Sequence, residues 1–148
     1  MKIGNFVIKK TKMIPKNSKI IAVDFDGTIV EDRYPSIGKP MMFAFETLKM
    51  LQKDGHRLIL WTYREGKELH DAVDLCRKEG IEFYAVNNNF PEEIYDPSIP
   101  RKLKADIFID DRNIGGFLGW GKIYQLLQSQ GSPNLEMKKK KSFFSLKR

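Results

Sequence analysis

At 148 residues, with 41% hydrophobic side chains, one cysteine and a formal net charge of +7, the chain has room for a single packed core and excludes an intramolecular disulfide. The positive charge sits at the ends: residues 1–19 and 132–148 hold twelve of the 26 basic residues against one acid, which leaves 14 bases and 18 acids, net −4, in residues 20–131. An acidic body does not indicate a nucleic-acid binder, so the expected organisation is a basic N-terminal segment (1–19), one domain (20–131) and a basic, solvated C-terminal tail (132–148).

Taken in chain order, residues 3–9 suit a short edge strand. Ile20 to Phe25 is a β-branched and aromatic run of the kind buried in parallel sheets, and Asp24-Phe25-Asp26-Gly27-Thr28 puts two carboxylates at its carboxyl end. Ile29 to Pro40 reads as a polar loop. Met41, Phe45, Leu48 and Leu51 share one face at helical spacing, which predicts a helix over 41–54 stopped by Gly55. Arg57 to Thr62 is a second strand ending in a hydroxyl. Leu69, Ala72, Val73 and Cys76 predict a helix over 66–79 that ends before Gly80, with Cys76 in the core. Glu82 to Val86 is a third strand, and Asn87 to Arg101 a loop rich in Asn and Pro. Asp106 to Asp110 is a fourth strand continued by the loop Asp111 to Gly116, and Trp120 to Gln130 a closing helix.

Strands alternating with helices imply right-handed crossovers, and hence an α/β, three-layer Rossmann-like sandwich: a mainly parallel sheet with helices on both faces. No stretch reaches the ~18 apolar residues of a membrane span and none near Met1 resembles a secretory leader, so a cytoplasmic protein is expected.

Carboxylates at i and i+2 of an extended strand point the same way, and like charges this close require a cation between them or a shared proton. The strand ends of a parallel sheet line one crevice. Asp24 and Asp26, Thr62, a lysine from 101–104, and the pair Asp110 and Asp111 therefore converge there. Hydroxyl, ammonium and two carboxylate pairs are the groups that phosphoryl transfer uses, with a hard, oxygen-liganded cation such as Mg2+ to neutralise the acids.

This ordered set resembles the haloacid dehalogenase superfamily of phosphatases over nearly the whole span Ile20 to Leu127. Asp24-Phe25-Asp26-Gly27-Thr28 is similar to its first motif, Thr62 to its second, the lysine to its third and Ile109-Asp110-Asp111 to its fourth. The tracts Leu60-Trp61-Thr62-Tyr63-Arg64-Glu65 and Phe108-Ile109-Asp110-Asp111-Arg112-Asn113 resemble a group of small, capless, poorly characterised bacterial predicted phosphatases. The resemblance implies that Asp24 is the nucleophile that forms an aspartyl-phosphate, and that Asp26 is the general acid and base. Thr62 would hydrogen-bond a phosphate oxygen, Gly27 would allow a turn that aims backbone N–H groups at the phosphate, and Thr28, placed with Gly27 among the substrate-binding residues, favours phosphatase chemistry over the dehalogenase kind. It further implies Mg2+ held by Asp24, the backbone carbonyl of Asp26 and Asp110, with Asp111 helping directly or through water.

Lys102 matches the family's spacing better than Lys104, although a fully extended 102–110 would put it on the order of 25 Å from Asp110, so this stretch must fold back. Arg64, two residues past Thr62, is expected at the crevice rim as a clamp for a second anionic group on the substrate, or else as an exposed charge at a helix start. His56 and His70 lack metal-like spacing and read as structural or surface groups, Trp61 and Tyr63 as packing residues, and Asp106 and Arg112 as an ordinary ion pair.

Family members select small substrates with a cap inserted after the first motif or before the lysine; both loops here are too short for one. The crevice should be open, which suits a phosphate on a bulky carrier such as a nucleic-acid end, a protein or a polysaccharide precursor, unless a second subunit covers it or 29–39 acts as a flap over a smaller substrate. Two rival readings are a catalytically silent phospho-ligand-binding protein and a phospho-accepting signalling module. The second rival needs adjacent acids on the first strand and an accepting Asp on the third, where this chain has Asp-x-Asp and no acid.

Overall fold

The structure, a computed structural model, describes residues 14–130; the edge strand expected at 3–9 and the tail at 132–148 lie outside the described residues. Strands β1 (Ile20–Val23), β2 (Arg57–Leu60), β3 (Ala85–Val86) and β4 (Ile107–Ile109) form one sheet in the order β3-β2-β1-β4, and every pairing is parallel. Helices α1 (Ala44–Lys53), α2 (Gly66–Lys78) and α3 (Trp120–Gln130) complete an α/β, Rossmann-like three-layer fold. Among the described residues no helix is long and apolar enough to cross a membrane.

Side chains alternate across the strands and separate two cores. Ile21, Val23, Leu58, Leu60 and Ile109 meet Phe45, Leu48 and Leu51 of α1, Ala72 and Cys76 of α2, and Trp120 and Ile123 of α3 in one cluster. Each large side chain buried this way contributes roughly 1.5–3 kcal/mol of transfer free energy. Ala22, Ile59 and Ala85 point the other way and are covered by Leu103. All three helices thus feed the first cluster, whereas helices were expected on both faces. The connection 87–106 crosses β2 and β1 to reach β4, and its Asn and Pro content with no helical period leaves it irregular, so the third layer is a ribbon of chain.

Helix α1 starts at Ala44 rather than Met41 because Phe43 has φ 64°, a left-handed conformation that helical backbone cannot include. Register does the rest of the positioning. Val23 lies opposite Leu60 on one side and Ile109 on the other, so Asp24 and Asp110, each the first residue beyond its strand, emerge side by side at the carboxyl edge.

Candidate functional site

The strand order reverses between β1 and β4, and crevices of parallel sheets open at such a reversal. There the Asp24 N–H donates to the Ile109 carbonyl at 2.9 Å, continuing the ladder one residue past the strands. Asp24, Asp110 and Asp111 each offer a carboxylate oxygen within 4.8 Å of the others. Burial, with the charges of Asp110 and Asp111 adding to it, pushes the Asp24 carboxyl up to about 7, against the pull of the Thr28 hydroxyl and the Phe25 N–H. Asp111 is raised as well, by burial first and then by Asp110.

Oδ1 of Asp111 is buried without a hydrogen-bond partner. An orphaned carboxylate oxygen beside two further carboxylates fits a hard divalent cation, and an all-oxygen donor set suits Mg2+. Gly27, at φ 83°, makes room for it: a Cβ there would collide with the Asp111 carboxylate. Asp110 is steadied by the Arg112 N–H, which donates to its Oδ1 at 2.8 Å, and by the Asn113 amide, which donates to its carbonyl.

Around this centre several expectations are corrected. Thr28 is fully buried; its hydroxyl donates to Asp24 Oδ2 at 2.9 Å and its carbonyl accepts the Trp120 indole N–H at 2.8 Å, so it positions Asp24 and offers nothing to a substrate. The tight turn at Gly27 is present, closed by its own N–H donating to the Val30 carbonyl at 2.7 Å. Arg64 is neither at the rim nor exposed. It is fully buried, and its guanidinium donates to both oxygens of Asp26 at 2.7 Å, which turns that carboxylate toward Arg64 and outside the acidic trio. Thr62 lies just past β2 on the same edge, where its N–H donates to the Asn87 side chain at 2.8 Å and its hydroxyl accepts the Arg64 N–H at 3.2 Å.

No family model and no curated protein matches the chain. A solved structure of a conserved protein from Bacteroides thetaiotaomicron does, with 56% sequence identity and a TM-score of 0.73 over 78% of this chain and 93% of that one. The chain belongs to that protein's family.

In this member of the Bacteroides protein's family neither lysine of the ribbon forms an ion pair with the acids among the described residues. Lys102 and Lys104 are exposed on either side of the buried Leu103, and among the described residues neither ammonium makes a hydrogen bond or ion pair. Leu103 pins the ribbon to the sheet by packing on Ala22, Ile59 and Ala85. Asp106 accepts the Ile20 N–H at 2.8 Å where an ion pair with Arg112 was expected, and Tyr63 is wholly exposed where packing was expected. His56 is structural, its Nδ1 accepting the Lys19 N–H at 3.1 Å, and burial lowers its pKa. Cys76 is buried and its thiol is pushed up to about 12 by that burial, an inert core residue.

Sequence reasoning missed Asn87, whose φ of 54° aims its side chain at Thr62, and Trp120 as the anchor of the first loop. The first left a trace in the tolerance of Asn for left-handed backbone; the second left none.

Proposed function

We propose that the protein is a Mg2+-dependent phosphomonoester hydrolase of the haloacid dehalogenase type that works through an aspartyl-phosphate on Asp24. The observation that carries this reading is the meeting of Asp24, Asp110 and Asp111 at the ends of adjacent parallel strands, with one buried carboxylate oxygen left unpartnered. Held by these three carboxylates and the Asp26 carbonyl, Mg2+ would neutralise the acids and the incoming phosphate.

Thr28 holds Oδ2 of Asp24, which leaves the other oxygen to attack phosphorus in line. The P–O bond to the leaving group breaks and Asp26, having taken up a proton while Arg64 still holds its other oxygen, would supply that proton; Asp26, again a carboxylate paired with Arg64, then takes a proton from the water that cleaves the aspartyl-phosphate, releasing inorganic phosphate and regenerating Asp24. The Thr62 hydroxyl would donate to a phosphate oxygen, and the Asp26 N–H, which has no protein acceptor among the described residues, would do the same. Lys102 would balance phosphate charge from the ribbon that covers the sheet. Neither 24–43 nor 87–106 holds a folded cap, and an open crevice suits a phosphate on a bulky carrier. A reduced, buried Cys76 accords with a cytoplasmic setting.

The test is phosphate release from 4-nitrophenyl phosphate, phosphometabolites and phosphorylated oligonucleotides with Mg2+ or with EDTA, beside Asp24→Asn. Release that needs Mg2+ and disappears in the variant is expected; release that survives in Asp24→Asn refutes the mechanism. The two exposed lysines, neither of them paired with the acids, favour a catalytically silent phospho-ligand-binding protein as the second reading, which predicts binding without turnover. A phosphoprotein stable for minutes would mark the signalling module instead.

A further inference from the structure

Every guanidinium nitrogen of Arg64 is in use. Nε and Nη2 donate to Oδ2 and Oδ1 of Asp26, each at 2.7 Å, while Nη1 donates to the Pro35 carbonyl at 3.0 Å and Nη2 also to the Ser36 carbonyl at 2.8 Å. The Phe25 and Tyr34 rings lie 5.0 and 5.4 Å from the guanidinium carbon. Pro35 and Ser36 are the exposed tip of the loop 31–39. The neck of that loop is closed by backbone: the Glu31 N–H donates to the Lys39 carbonyl at 2.8 Å, and Val30 bridges Pro40. Its tip is held to the rest of the protein by Arg64, a side chain from beyond β2.

The Asp26 side chain keeps 15% of its surface exposed where Arg64 keeps none. Arg64 therefore grips the carboxylate from behind and leaves an open edge.

We propose that Arg64 is a positioning residue that joins Asp26 and the loop 31–39 into one ordered unit, fixing the direction of the Asp26 carboxylate while the loop seals the guanidinium from water. The role assigned to Asp26 in proton transfer rests on the phosphatase reading; the mechanical tie does not. A guanidinium stays buried only while its charge is paired and its donors are satisfied. Without the Asp26 carboxylate, Arg64 is an unpaired cation between two rings; it leaves for solvent and drops the Pro35 and Ser36 carbonyls. Without Arg64, the loop tip loses its anchor and Asp26 is free to rotate.

Hydrogen exchange decides the tie. In Asp26→Asn the Glu31 amide, whose bond to the Lys39 carbonyl closes the loop, should exchange about tenfold faster or more than in the wild type, as it should in Arg64→Met, and the double variant should gain no more than either alone. Amides of β1 and β2 that stay protected show that the sheet is intact. Should Arg64→Met not fold, Arg64→Lys takes its place, because a single ammonium cannot span two carboxylate oxygens and two carbonyls. A Glu31 amide whose protection is unchanged in Asp26→Asn and in the Arg64 variant overturns the proposal.

The orienting role is read in turnover with Mg2+. Arg64→Lys should lower hydrolysis of 4-nitrophenyl phosphate by no more than about threefold and that of glycerol 2-phosphate by about thirtyfold or more, since only the poorer leaving group needs the delivered proton. Equal losses on the two substrates would reduce Arg64 to packing. If the wild type releases phosphate from neither substrate, the phosphatase reading has failed, and exchange alone still decides the tie.

Discussion

Replacing Asp24 by Asn should stabilise the metal-free protein at pH 8 and abolish its response to Mg2+. The Asp24 carboxyl rises from 3.8 in the unfolded chain to about 7 in the fold, so the folded state holds this proton more tightly. Below pH 3.8 both states are protonated and the site costs nothing. As pH climbs toward 7 the unfolded chain releases its proton first and stability falls; above 7 both states are ionised and the full cost is present. Three units correspond to about 4 kcal/mol, and screening of a partly exposed group brings this to about 2 kcal/mol. Asn keeps an oxygen to accept the Thr28 hydroxyl, so the substitution removes the charge and little else. Thermal melts in EDTA should place Asp24→Asn about 6 °C above the wild type at pH 8, with the gap nearly closed at pH 4. Adding Mg2+ at pH 8 should raise the wild type alone. A variant that melts at or below the wild type at pH 8, a gap that ignores pH, or equal stabilisation of both proteins by Mg2+ would refute the account of a repelling acidic trio that shares an ion.

Gly27→Ala places a Cβ against the Asp111 carboxylate at a left-handed φ, and should cost about 2 kcal/mol or more in urea unfolding while eliminating Mg2+ binding by calorimetry. Trp120→Phe leaves the buried Thr28 carbonyl without its donor, a loss of about 1–3 kcal/mol that thermal or urea unfolding will register. With its thiol pushed up to about 12, Cys76 should react with a thiol reagent at pH 8 about a hundredfold more slowly in the native protein than in denaturant.

Most of the framework was legible because it rests on local patterns. The apolar runs marked β1 and β2, and α3 occupies the predicted Trp120 to Gln130. Alternation of elements implied the parallel sheet, and acids at two strand ends implied the trio. What escaped depends on backbone conformation or distant partners. Met41 shares a face with Phe45, so periodicity ran the first helix through Phe43, whose left-handed backbone has no signature in hydrophobic spacing. Spacing put Arg64 at the crevice edge, but a carboxylate 38 residues earlier draws it inside. The ribbon before β4 offered two lysines and one leucine; only the packed sheet shows that Leu103 is the residue that turns inward.

The Trp120 indole reaches back 92 positions to the loop that follows β1, and the Asp24 amide leans on the end of β4. A nascent chain leaving the ribosome carries Asp24 early, yet the groups that hold it still arrive with the last fifth of the described residues. The acidic centre is therefore assembled late in synthesis, and a chain cut short before α3 carries the acids without the scaffold that aims them.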